Sequence, residues 1–243
     1  LTRPHDSWAQ YYESVMERTY GSLYGRLSSS AMAEVQGRVP RGSNVIDFGA
    51  GCGRLTLPLA QAGYQVTAVE PSAGMHAELT RSLEALPSDT TARVTTAECP
   101  MEHYQGAPSH DLALCVFTVI AFLLKPESLS SAFEAARGSL KPGGLFLLDV
   151  PHESVFVDVD YDDDQIIRTV QISPTGGGRY NYSEHTVVRT EKDEETYRDR
   201  FSIRYWTRRE VSDALQTAGF VAEADISGRF AGLGADYLLM RKA

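Results

Sequence analysis

Residues 44–54 read N-V-I-D-F-G-A-G-C-G-R, and residues 65–70 read Q-V-T-A-V-E. Val45, Ile46 and Phe48 make the apolar run of a buried strand, which ends on glycines at alternate positions: Gly49, Gly51 and Gly53. Leu55, Leu57, Leu59 and Ala60 then begin an apolar helical pattern that stops at Gly63. Gln65–Val69 predicts a second strand, tipped by Glu70. Strand, glycine turn, helix, strand and acid is the order of a mononucleotide-binding half of a doubly wound sheet, which binds ligands at the carboxyl ends of its strands. Glycine lets the backbone turn sharply and approach a ligand with no Cβ in the way. Glu70 follows Gly53 by 17 residues. A carboxylate there can accept hydrogen bonds from both ribose hydroxyls of an adenosine.

The glycine spacing separates two kinds of adenosine cofactor. A dinucleotide fingerprint is G-x-G-x-x-G, with the last glycine three places after the second. Here Gly53 is two places after Gly51, and Arg54 stands where that fingerprint wants a small residue. Asp47 precedes the first glycine by two. D-x-G-x-G-x-G with a strand-end acid resembles the first two motifs of the class I S-adenosylmethionine-dependent methyltransferases. The run Lys141-Pro142-Gly143-Gly144, leading through apolar residues to Asp149, is also similar to that family, where it marks the start of the fifth strand. The resemblance is good over residues 45–150 and fair over 207–243.

It implies S-adenosylmethionine as cofactor and S-adenosylhomocysteine as product. Gly49, Ala50, Gly51 and, less directly, Gly53 would line the methionine part, with Asp47 ordering the turn. Glu70 would hold the ribose, and Pro71 would lie along the adenine. Glu98 stands where the family commonly has an aspartate that meets the adenine amino group, with Cys99 and Met101 beside it. Its extra methylene allows that contact to shift to a backbone amide. Phe117 and Thr118 would face the transferable methyl group. An N-terminal tyrosine often touches the methionine moiety in small-molecule members, and Tyr11, Tyr12 and Tyr20 are the candidates here. Core packing is the alternative for Met101, Phe117 and each tyrosine.

The chain has 243 residues, 42% of them hydrophobic, enough for one large core. A net charge of −9 argues against a nucleic-acid partner held through phosphates. Arg200, Arg204, Arg208 and Arg209 come nearest to a basic patch, and they read as a solvated strand edge and helix start. No run of 18 apolar residues suggests a membrane span. Cys52, Cys99 and Cys115 are widely spaced and form no C-x-x-C pair, so neither a metal site nor a disulfide framework is expected. A reducing cytoplasm is the expected setting. The sequence begins at Leu1 and not at methionine, which leaves a preceding segment open.

The fold expected is α/β: a Rossmann-like seven-stranded, mostly parallel sheet with a terminal antiparallel hairpin, N-terminal helices and an inserted antiparallel β lid. One domain would comprise an aromatic-rich helical cap (1–40), the cofactor-binding core (41–150), a substrate lid (151–206) and a closing helix and hairpin (207–243). Leu112–Phe117 reads as a strand buried on both faces, and Lys141–Gly144 as a sharp turn into Leu145–Val150. Gln165–Ile172, Gly178–Val188, Lys192–Arg198 and Phe201–Trp206 read as successive lid strands. Asp158, Asp160, Asp162, Asp163 and Asp164 read as a solvated loop, with attraction of a cationic substrate as the alternative.

His152 and His185 are candidate bases, since histidine can take a proton near neutral pH. Alignment of nucleophile, methyl carbon and sulfur can also suffice without one. The activity implied is methyl transfer to an O, N or C nucleophile of a small molecule, a natural-product or sugar intermediate among them, by a monomer or homodimer. An NAD(P)-dependent oxidoreductase is the first alternative. The Gly51–Gly53 spacing counts against it, as does the closing hairpin read at Val221–Ile226 and Asp236–Arg241. A non-catalytic S-adenosylmethionine-binding subunit is the second, and the glycine turn with Glu70 does not separate it from an enzyme.

Overall fold

The computed structural model describes residues 3–243. Two helices, α1 (Ala9–Tyr20) and α2 (Ser22–Arg38), precede the sheet and are broken apart at Gly21, whose φ is 51°. The first strands are β1 (Asn44–Phe48), β2 (Gln65–Val69), β3 (Val94–Ala97), β4 (His110–Cys115) and β5 (Leu140–Pro151). Helices α3 (Thr56–Gln61), α4 (Ala73–Glu84), α5 (Ser88–Thr91) and α6 (Pro126–Ser139) run between them. Four strands follow, β6 (Val159–Asp162), β7 (Ile166–Gly176), β8 (Arg179–Arg189) and β9 (Glu194–Arg204). The chain closes with α7 (Arg208–Thr217), β10 (Phe220–Asp225) and β11 (Ala235–Lys242).

The main sheet has seven strands in the order β10-β11-β5-β4-β1-β2-β3, all running the same way except β11, which is antiparallel to both its neighbours β5 and β10. The expected fold class is therefore the one found. Alternation along the strands builds two cores. Ile46, Phe48, Ala113, Cys115, Phe146 and Leu148 pack with α6 and α7, while Val45, Leu112, Leu114, Leu145 and Leu147 pack with α2 and α3. β4 is apolar on both faces because helices cover both. The strand order reverses between β1 and β4, and such a switch point leaves a crevice for a ligand. Local chemistry sets the helix starts: Ser72 accepts the Met75 amide at the head of α4, and Thr207 with Glu210 forms a capping box on α7.

Four local expectations are corrected. β4 stops at Cys115, short of Phe117, because Phe117 and Thr118 take φ of 70° and 68°, which no strand tolerates. Lys141–Gly144 is a bulge within β5: its pairing runs from His110↔Leu140 straight to Leu112↔Leu145, so the extra residues loop out while the strand continues. Lys192–Arg198 and Phe201–Trp206 belong to the single strand β9, which pairs without interruption from Glu194 to Arg204 with β8. Part of the acidic run is strand β6, paired antiparallel with β7 from Val159 to Asp162. Together β6-β7-β8-β9 form a separate antiparallel sheet. One face of it packs on α1, where Ile166 and Val188 meet Trp8, Val15 and Met16.

Candidate active site

The glycine turn leaves the end of β1 at the switch point. The amides of Gly49 and Ala50 both donate to the Val69 carbonyl, at 2.8 and 3.1 Å, which fastens the turn to the end of β2. A Cβ on Gly49 would come within 2.5 Å of Val119 Cγ2, so the next loop needs that glycine. A Cβ on Gly51 would meet only Met75 Sδ, at 3.9 Å, and its φ of 55° also favours glycine. Backbone at Gly51 is thus open to close approach by a ligand. Gly53 is packed instead against Leu57 and Leu79.

Two acids flank the turn. Glu70 is buried and accepts the Gly51 amide on Oε2 and the Ser72 amide on Oε1, each at 2.8 Å. Burial pushes its carboxyl up, and those two amides oppose the shift. Asp47 accepts the Thr56 hydroxyl at 2.7 Å, so it anchors the start of α3 and with it the far end of the turn. Burial raises its pKa to about 6.

The N-terminal segment crosses this site. Asp6 Oδ1 accepts the Ser72 hydroxyl and the Gly74 amide, both at 2.7 Å, at the head of α4. Cys52 Sγ donates to the Ala9 carbonyl at 3.5 Å, and Tyr12 packs with Ala9, Cys52 and Met75 over the turn. Tyr12 thereby lies with the glycine-turn residues. Tyr20 goes elsewhere, its hydroxyl taking a 3.1 Å hydrogen bond from Arg168 of β7, and Tyr11 reaches Glu195 of β9 at 2.7 Å. Pro71 is half-buried beside Glu70.

At the third strand, the Glu98 side chain is exposed and lies 3.8 Å from His76 Nδ1. Cys99 is half-buried against the α6-side core, and Met101 is buried within it. Phe117 and Thr118 sit at the tip of β4 with Thr118 exposed. The Phe117 ring faces the Arg54 guanidinium at 4.1 Å, and the Tyr24 ring covers the same group at 3.3 Å. Arg54 also donates to Ser28 Oγ at 2.7 Å. It thus joins the glycine turn to α2 and to the β4 tip.

Neither candidate histidine sits in this constellation. His152 is exposed and its Nε2 lies 3.1 Å from Asp236, which also accepts from Arg208 of α7. His185 neighbours Glu184 on β8, and side chains alternate across a strand. Glu184 faces α1, so His185 faces away from it, paired in register with Thr169 and Arg198. The pleat decided this, and a histidine's chemistry gave no hint of it.

A histidine that does face the junction of the N-terminal segment and the second sheet is His5. It is buried, with Nδ1 3.3 Å from Glu184 and 3.6 Å from Asp199. Burial pulls its pKa down, but the two carboxylates outweigh that and the net shift is upward. Glu184 also takes the Arg168 Nε–H at 2.5 Å and the Tyr182 and Thr186 hydroxyls at 3.1 Å. Its burial is outweighed by His5 and Arg168, which bring its pKa down to about 2. Asp199 takes the Trp8 indole N–H at 2.8 Å and the His5 amide at 3.0 Å. His5, Glu184 and Asp199 offer three ligand atoms within 4.8 Å of one another. Arg168 and Trp8 already engage the two carboxylates, so the cluster is an ion-pair network joining the N-terminal segment to the second sheet.

Comparison with known proteins agrees with this geometry. Residues 45–144 match the family model of a methyltransferase domain. This stretch, from β1 to the start of β5, is similar to a methyltransferase domain. A protein of Geobacillus sp. (strain WCH70) that carries a methyltransferase name is 26% identical over 160 residues, covering 66% of this chain and 56% of that protein. The chain thus spans little more than half the length of that curated relative. An S-adenosylmethionine-dependent methyltransferase of Clostridium acetobutylicum ATCC 824 superimposes with a TM-score of 0.80 at 16% identity, over 96% of this chain and 98% of that one. CalS10 of Micromonospora echinaspora, an amino pentose methyltransferase solved with S-adenosylmethionine bound, gives 0.75 at 19% identity, over 96% and 97%. The open backbone at Gly51 beside the buried Glu70 carboxylate suits a ligand of the kind bound in CalS10.

Proposed function

We propose that this chain transfers the methyl group of S-adenosylmethionine to an O, N or C nucleophile of a small molecule, with a sugar or natural-product intermediate as the acceptor class. The observation that carries the reading is the roof: the N-terminal segment is fastened both to the head of α4 through Asp6 and to the second sheet through His5 and Trp8. A site covered in this way takes a small acceptor more readily than a polymer. CalS10, of similar fold, acts on an amino pentose, which supports the sugar class.

When bound, S-adenosylmethionine supplies an electrophilic methyl on a sulfonium that leaves as S-adenosylhomocysteine. The chain's own part is positioning and the exclusion of water. The Gly51 backbone and Tyr12 hold the methionine part. Glu70 turns a carboxylate oxygen to the ribose, with Pro71 and the Glu98–Cys99 segment along the adenine. The Phe117–Thr118 turn faces the methyl. Residues 151–206 act as the lid, closing over the acceptor. The reaction is a single in-line displacement in which an electron pair of the acceptor atom forms the bond to the methyl carbon as the carbon–sulfur bond breaks, its electrons staying on sulfur and the acceptor's proton passing to solvent. Neither His152 nor His185 is assigned a proton, since one pairs with Asp236 and the other faces outward.

Calorimetric titration with S-adenosylmethionine, S-adenosylhomocysteine and NAD(P)H, on the wild type and on Glu70→Ala, tests the reading. Binding of the sulfur nucleotides should weaken tenfold or more in the variant, since a lost ribose hydrogen-bond pair costs roughly 1.5–3 kcal/mol. Binding of NAD(P)H instead, or of neither class, refutes it. A wild type that binds the cofactor yet methylates nothing in a broad screen of amino sugars and phenols points to the non-catalytic subunit.

A further inference from the structure

The last main-sheet pair between β4 and β5 is Cys115↔Leu148. One residue further along β5 stands Asp149, where Leu145 and Leu147 on the same face are core residues. Asp149 is itself buried, at 2% exposure. Opposite it the chain leaves β4 through two consecutive non-glycine residues in the left-handed region, Phe117 and Thr118. For a β-branched threonine this is a true outlier, and it persists only where the surroundings hold it.

Asp149 is what holds it. Oδ2 accepts the Thr118 amide at 2.9 Å, an amide that the turn has removed from the strand ladder. Oδ1 is sealed from solvent with no hydrogen-bond partner among the described residues. A buried carboxylate with one oxygen unpaired is costly, and a leucine there would fill the core without that cost. The held turn meets three other parts of the site. Val119 packs on Gly49, the Phe117 ring lies on Arg54, and the Phe122 ring lies 5.8 Å from Phe201 of β9.

We propose that Asp149 is a positioning residue for methyl transfer, holding the Phe117–Thr118 turn against the cofactor's methyl group. This rests on the methyltransferase reading above. S-adenosylmethionine and S-adenosylhomocysteine differ only in that methyl and its charge, so contacts made by the turn appear in the ratio of their affinities.

The test is calorimetric titration of both nucleotides into wild type, Asp149→Ala, Asp149→Asn and the double variant Asp149→Ala with Thr118→Gly. The alanine variant should lose about tenfold in affinity for S-adenosylmethionine and less than about twofold for S-adenosylhomocysteine. The asparagine variant, whose Oδ1 still accepts the Thr118 amide, should keep the wild-type ratio. Glycine at position 118 takes positive φ unaided, so the double variant should recover it. Equal losses for both nucleotides, no loss, or an asparagine variant as impaired as alanine would each overturn the proposal. Asp149→Ser replaces the alanine variant if that one does not fold. A wild type that binds neither nucleotide removes the methyltransferase reading itself, a result separate from any pattern among the variants.

Discussion

Asp47 and Asp149, near the carboxyl ends of β1 and β5, are held by the Thr56 hydroxyl and the Thr118 amide. Glu184, on β8, lies equally buried but against Arg168 and His5. Burial wins in the first region and raises the two aspartates to about 6 and about 7. Counter-charge wins in the second and lowers Glu184 to about 2. The difference shows what each sheet is for. The main sheet keeps weakly paired acids near its strand-order switch point, and perturbed groups of that kind tend to gather at functional sites. The second sheet uses its acids to tie the N-terminal segment down.

The sharpest way to break this contrast is Arg168→Ala, which leaves Glu184 buried with His5 as its nearest remaining counter-charge. Removing one partner of a buried ion pair costs about 3–5 kcal/mol, and a fall of that size in denaturant-unfolding stability is expected. Replacing both partners together, Arg168→Met with Glu184→Leu, should cost far less.

Next in size is the pH response. A carboxyl raised in the folded state contributes stability below its unfolded pKa and loses it as pH rises through the folded value. Asp149 should therefore destabilise the protein progressively between about pH 4 and pH 7, and Asp47 between about pH 4 and pH 6. Glu184 has the opposite sign: its contribution is present above about pH 4.5 and is lost as pH falls through about 2. In Asp149→Asn the alkaline decline should shrink. Its stability relative to wild type should improve by roughly 4 kcal/mol between pH 4 and pH 8, at 1.36 kcal/mol per unit of pKa. Parallel slopes for the two proteins in urea titrations across that range would refute the assignment.

The smallest effect probes the strap that joins the regions. Trp8→Phe keeps the buried ring but removes the indole donor to Asp199, a change worth about 1–2 kcal/mol. Thermal unfolding should register it, and S-adenosylhomocysteine should dissociate faster in stopped-flow mixing. An unchanged off-rate would mean that this strap does not gate the cofactor.

Much of the main sheet was legible because its signals are local. Gln65–Val69 is strand β2 over those same residues, and Ser72 and Thr207 cap their helices as their residue types suggest. The glycine turn and Glu70 come together as spacing implied. Glu98 was placed by resemblance alone, and its side chain turns outward toward His76. The left-handed turn at Phe117–Thr118 had no glycine or asparagine to betray it. Asp149 was visible only as the end of a motif. Nothing in the sequence singled out His5, Arg168 or Glu184. A check of residue parity in the predicted lid strands could have put His185 and Glu184 on opposite faces, but not said which face was inside.

Periodicity and glycine spacing, with the resemblance they support, determined the α/β fold class, the glycine turn after β1 and the acid at the end of β2 that meets it. Each of these depends on residues a few positions apart, where backbone geometry leaves little choice. Tertiary structure alone decided the roof: that His5 faces the second sheet, that Arg168 and His5 share Glu184, and that a β5 aspartate holds the β4 turn. Those contacts join residues 16 to 194 positions apart. Only the packing of one sheet against another selects them, because any of the chain's 32 acids could meet its 23 lysines and arginines until burial excludes all but a few.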